Sequence, residues 1–78
     1  MTPAEAKTLI LEVLGEIAPE ADLGKLRSRA QLRDELDLDS IDFLNFVAAV
    51  HERTGLDIPE AEYGRLATLD DAVAYVAH

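Results

Sequence analysis

Ser40 lies within an acidic run, Asp37-Leu38-Asp39-Ser40-Ile41-Asp42. A serine hydroxyl there could act as a nucleophile or cap a helix, and its partners decide which. No Ser-His-Asp arrangement is suggested by order or spacing, and 78 residues could hardly enclose a pocket around one. His51-Glu52 starts like the zinc-protease pattern His-Glu-x-x-His, but the second histidine would fall at Gly55. A calcium loop starting at Asp37 and Asp39 would need a further acid, a glycine and a glutamate where the chain has Ile41, Asp42 and Ala48. There is no glycine-rich phosphate loop. The absence of cysteine excludes disulfides, thiolate metal sites and a cysteine nucleophile. The sequence does not read as an enzyme.

The elements that must position Ser40 are helical. Thr2 caps a first helix with Pro3 at its first position and Glu5 completing a capping box. Ala6, Leu9, Ile10, Val13, Leu14 and Ile17 form its buried face, and Pro19 stops it. Residues 20–38 hold no long periodic segment and read as an extended connection, pinned to the core by Leu23, Leu26, Leu32, Leu36 and Leu38. A connection of 19 residues is long for a small domain, so it is either functional or partly helical. The second helix is capped by Asp39 or Ser40, runs to about Thr54, and has Gly55 where a left-handed cap is wanted. Residues 60–66 suit a short helix carrying Tyr63 and Leu66. Thr68 caps a last helix, with Asp71 three residues on and a stripe of Leu69, Ala72, Val73 and Val76. No segment alternates with period two for long enough to make a strand. The expected fold is all-α, a small four-helix bundle of three main helices and one short one, spanning 1–78 as a single domain with a long loop between the first and second helices.

Charge narrows the function further. Seven Lys and Arg against sixteen Asp and Glu give a net charge of −9. That balance argues against nucleic acid and anionic membranes as partners, since both call for a basic surface. Residues 31–62 hold nine acids and two bases, whereas Lys25, Arg27, Arg29 and Arg33 make the connection locally basic. On the second helix Phe43, Phe46, Val47 and Val50 share the core face. Ile41, Leu44 and Ala48 fall on the opposite side, near Asn45 and Glu52. A helix in so small a bundle rarely buries both faces, so Ile41 and Leu44 are expected at the surface inside a rim of Asp39, Asp42 and Glu52. Charge would steer a protein partner and the apolar contacts would hold it. The competing reading packs Leu44 under the long loop. The start of the chain lacks the basic and apolar segments of a signal peptide, and no apolar stretch approaches a membrane span of roughly 18 residues. A cytoplasmic protein is the expectation.

The segment Leu36-Asp37-Leu38-Asp39-Ser40-Ile41-Asp42, after a long loop and at a helix start, resembles the prosthetic-group attachment motif of acyl carrier proteins. Thr54-Gly55-Leu56-Asp57-Ile58-Pro59-Glu60 resembles that family's turn out of the second helix. Leu66-Ala67-Thr68-Leu69-Asp70-Asp71-Ala72-Val73 resembles the entry to its last helix. Length, acidity and helix order agree, so the resemblance spans essentially the whole chain. It implies that Ser40 carries 4′-phosphopantetheine, transferred from coenzyme A by a phosphopantetheinyl transferase, with Asp39 matching the preceding acid. It further implies that Ile41, Asp42, Leu44, Ala48 and Glu52 lie on the partner-recognition helix. The partners would be acyl-transferring or acyl-activating enzymes of fatty acid, polyketide or related biosynthesis, met by a monomeric carrier.

The chemistry of the chain is consistent with that reading. A thioester carrier needs a thiol, and a chain without cysteine must take one from a prosthetic group. The attachment hydroxyl must reach a foreign active site, which an exposed helix start allows, and the amides and dipole there favour a phosphodiester. Asp37 stands where the family often has glycine, and Asn45 where it often has glutamate. The second departure removes a charge from the docking face and points to a specialised carrier. A peptidyl or D-alanyl-type carrier and a helical interaction domain without a prosthetic group remain as alternatives.

Overall fold

The first helix starts where its capping signals place it. In the computed structural model, which describes residues 1–77, α1 runs over Pro3–Ile17. The Thr2 hydroxyl accepts from the Glu5 amide at 3.1 Å, and the Glu5 carboxylate accepts from the Thr2 amide at 3.0 Å. This reciprocal box satisfies two donors that a helix start otherwise leaves open. Ala6, Ile10, Val13 and Leu14 are fully buried, while Leu9 and Ile17 flank them half-buried.

The long connection is not extended throughout. It contains a 3-10 turn at Leu23–Lys25 and a single α-helical turn, α2, at Leu32–Glu35. A run this short carries no periodic signal, which is why the sequence pattern does not disclose it. Its placement comes from tertiary hydrogen bonds. The Leu32 amide donates to the Ala67 carbonyl at 2.7 Å, and the Asp70 amide donates to the Ser28 carbonyl at 3.0 Å. Gln31 and Thr68 form an isolated antiparallel bridge. Glu35 accepts from both the backbone and the guanidinium of Arg27, at 3.0 and 2.9 Å, which closes the loop before α2. Leu32 and Leu38 are buried, and Leu23, Leu26 and Leu36 pack half-buried at the core edge, so all five leucines pin the connection.

The helix expected second is third in chain order: α3, Ser40–Thr54. It ends at Gly55, which has φ 73° and donates to the His51 carbonyl at 2.8 Å. Phe46, Val47 and Val50 are buried as the pattern requires. Phe43 is only half-buried, because it lies one turn from the helix start at the edge of a groove, tilted against Phe46 with ring centroids 5.9 Å apart. Residues Glu60–Leu66 form a 3-10 rather than an α-helix, with Leu66 buried and Tyr63 half-buried. The last helix, α4, covers Leu69–Val76, its start capped by Thr68 accepting from the Asp71 amide at 3.0 Å.

The core forms where α1 lies against both α3 and α4. Arg53 near the end of α3 reaches Glu12 and Glu16 on α1, tying the far ends of the two longest helices. Among the described residues the three main helices α1, α3 and α4 and the short 3-10 segment at Glu60–Leu66 form the expected all-α bundle, to which the connection adds α2 and the 3-10 turn at Leu23–Lys25. Among the described residues no helix is long and apolar enough to cross a membrane.

Candidate functional site

The site is built by the turn joining α2 to α3. Asp37 has φ 53°, the left-handed region that β-carbons disfavour and Asp tolerates better than most residues. It follows the C-cap of α2, where the Leu36 amide donates to Leu32 at 3.0 Å and the Leu38 amide donates to the Arg33 carbonyl at 2.9 Å. That six-residue bond with a left-handed residue inside it is a Schellman closure. It reverses the chain within two residues and delivers Leu38 to the interior and Asp39 to the start of α3.

Asp39, not Ser40, is the cap. Its carboxylate accepts from the Asp42 amide at 2.7 Å, and the Asp42 carboxylate accepts from the Asp39 amide at 3.3 Å. Ser40 is therefore the first helical residue, exposed, with its hydroxyl released from capping duty. Among the described residues one side-chain donor reaches that hydroxyl: Nη2 of Arg33, 3.3 Å from Ser40 Oγ. A guanidinium cannot take a proton, so this contact does not make a nucleophile–base pair. His51 lies eleven residues further, about 16 Å along the helix at roughly 1.5 Å per residue. Its Nδ1 donates to the Leu56 carbonyl at 2.6 Å, which holds it at the far end. Among the described residues, neither Arg33 nor His51 is placed to act as a general base for Ser40.

The remaining site residues from the sequence share one exposed strip of α3. Ile41 is 68% and Leu44 48% exposed, two large apolar side chains one turn apart on the outer face of α3. Ala48 and Glu52 continue the strip, both exposed, and Asp42 is half-buried at its edge. The competing placement of Leu44 under the loop does not hold, since half of the side chain faces outward. Its other half lines an open groove of about 410 Å³ that starts beside Ser40. The groove walls come from Gln31 and Arg33 on the connection, Phe43 and Leu44 on α3, and Tyr63 and Ala67 beyond. Sequence pattern did not find Arg33, Gln31 or Tyr63 as neighbours of Ser40. The one available signal was Asp37 in a position that turns the chain sharply.

An exposed hydroxyl at a helix start, a cation beside it and an apolar groove leading away suit a phosphodiester-linked arm rather than a reaction centre. Residues 5–76 match the family described as "Phosphopantetheine attachment site". The acyl carrier protein of Acidothermus cellulolyticus is 34% identical over 80 residues, covering 100% of this chain and 92% of that protein. This chain belongs to the acyl carrier protein family. The acyl carrier protein of Renibacterium salmoninarum is 38% identical, covering 87% of this chain and 83% of its own. That of Zymomonas mobilis is 32% identical, covering 96% and 90%. The prosthetic group of this carrier family is phosphopantetheine, and the residues around Ser40 fit it. The amides of Ser40 and Ile41 precede the first intrahelical bond, Phe43 amide to Asp39 carbonyl at 3.0 Å, and so remain as donors.

Proposed function

We propose that Ser40 is the attachment point and that residues 1–78 work as one non-catalytic carrier domain, a cytoplasmic monomer loaded by a phosphopantetheinyl transferase. The observation that carries this is the division of labour at the start of α3, where Asp39 and Asp42 cap each other and leave Ser40 exposed. When bound, the arm supplies the thiol that holds an acyl or aminoacyl group as a thioester. The chain's own residues present it. The acidic rim of Asp39, Asp42 and Glu52 steers basic enzyme surfaces toward Ser40. Ile41, Leu44 and Ala48 offer apolar contact once the partner has arrived. The partners are enzymes that activate or transfer acyl groups.

Intact mass after incubation with coenzyme A and a broad-specificity transferase tests the proposal. The wild type gains one phosphopantetheine and Ser40→Ala gains none. A helical interaction domain without a prosthetic group would gain nothing in either form. A hydrolase would turn over an activated ester with no coenzyme A present.

A further inference from the structure

The chain has five arginines, and four of them are spent on carboxylates: Arg27 on Glu35, Arg29 on Asp70, Arg53 on Glu12 and Glu16, and Arg65 on Glu62. Among the described residues Arg33 alone of the five makes no ion pair, although Asp34, Asp37 and Asp39 are close in sequence. It donates instead to a neutral hydroxyl, Ser40 Oγ, at 3.3 Å. Its backbone is fixed by the Schellman bond from Leu38, so the side chain crosses the turn from a set origin.

We propose that Arg33 is the positioning residue for the phosphodiester of the arm. The inference rests on Ser40 being the attachment point. A phosphodiester on Ser40 would add an anion to a helix start already occupied by the carboxylates of Asp39 and Asp42, which face each other's amides across the first turn. The helix dipole favours an anion there, but two carboxylates have already drawn on it. A nearby cation offsets that repulsion, and Arg33 is the cation already in contact with the oxygen that becomes the ester. Its guanidinium offers several donors in one plane, a geometry suited to phosphate oxygens, where lysine offers a point charge. Arg33 also forms one wall of the groove beside Ser40. Holding the phosphate from that side fixes the direction in which the arm leaves the helix, toward the groove rather than into solvent.

The test compares thermal midpoints of apo and holo protein for wild type, Arg33→Gln and Arg33→Lys, each converted with excess transferase and checked by mass. A merely structural role would move apo and holo together; the clamp moves their difference. We expect the holo-minus-apo shift to be about 2–4 °C less favourable in Arg33→Gln than in wild type at low salt. Arg33→Lys falls between them, and the gap narrows in high salt. The ³¹P resonance of the phosphodiester moves in Arg33→Gln relative to wild type. Equal holo-minus-apo shifts together with an unchanged ³¹P resonance would overturn the clamp while leaving the attachment intact. Absence of any mass gain on the wild type would overturn both.

Discussion

Replacing Leu44 with alanine separates docking from packing. A fully buried Leu→Ala change loses the transfer free energy of the removed carbons and leaves a cavity, roughly 2–5 kcal/mol together. Leu44 is 48% exposed and borders an open groove, so about half of the transfer free energy applies and water refills the space. At about 0.8 kcal/mol per buried carbon, the expected loss is ~1 kcal/mol. For a domain of this length that lowers Tm by roughly 4–8 °C. Leu14→Ala, with its side chain fully buried in the same core, provides the internal reference and falls in the larger range. If Leu44 is an apolar anchor, its loss at the interface is about 1–2 kcal/mol, or roughly 5- to 30-fold in kcat/KM for loading. Urea denaturation and transferase kinetics on one preparation give both numbers. A stability loss above ~2 kcal/mol with unchanged loading would assign Leu44 to the core and remove the centre of the docking strip.

The cap assignment makes Asp39→Ala cost ~1 kcal/mol and Ser40→Ala well under that, a contrast readable from two denaturation curves. At the left-handed Asp37, glycine should be neutral or stabilising by up to ~1 kcal/mol, whereas valine should destabilise by more than that; midpoints of the two variants check the turn. The hydrogen bonds from the Arg27 side chain and backbone hold the Glu35 carboxyl below its usual range. A depressed carboxylate stabilises the fold above its unfolded value, about pH 4.3, and that contribution is lost as pH falls through the lower folded value. Glu35→Gln should therefore lose less stability than wild type over that acid window, measured by thermal melts across pH. Millimolar magnesium should raise Tm by screening the surplus of nine acids over two bases in residues 31–62, and an unchanged Tm would show these charges to be too far apart to interact.

Much of this architecture was legible because it depends on local chemistry. The Thr2–Glu5 box, the Thr68 cap and the left-handed Gly55 are decided within four residues of where they act, and each was found where the sequence places it. The exposed strip of Ile41 and Leu44 was legible for a different reason: helical periodicity separates it from Phe46, Val47 and Val50. What stayed hidden depends on long-range pairing. The single turn α2 exists because the Leu32 amide finds Ala67, 35 positions away, and no pattern of side chains announces that bond. The contact from Arg33 to Ser40 follows from that turn and from the left-handed Asp37, so it was hidden too. Both residue types cap well, so local sequence does not choose between Asp39 and Ser40; the reciprocal bond to Asp42 decides it.

The central claim is that the prosthetic arm is on Ser40, and peptide mapping of the transferase-treated protein tests it most directly. The chain has two serines, Ser28 in the connection and Ser40 at the start of α3. Fragmentation of the modified peptide should localise the phosphopantetheine to Ser40 alone, at one group per chain. A modification on Ser28 or on any threonine, or an unmodified Ser40 peptide in a fully converted sample, would contradict the account.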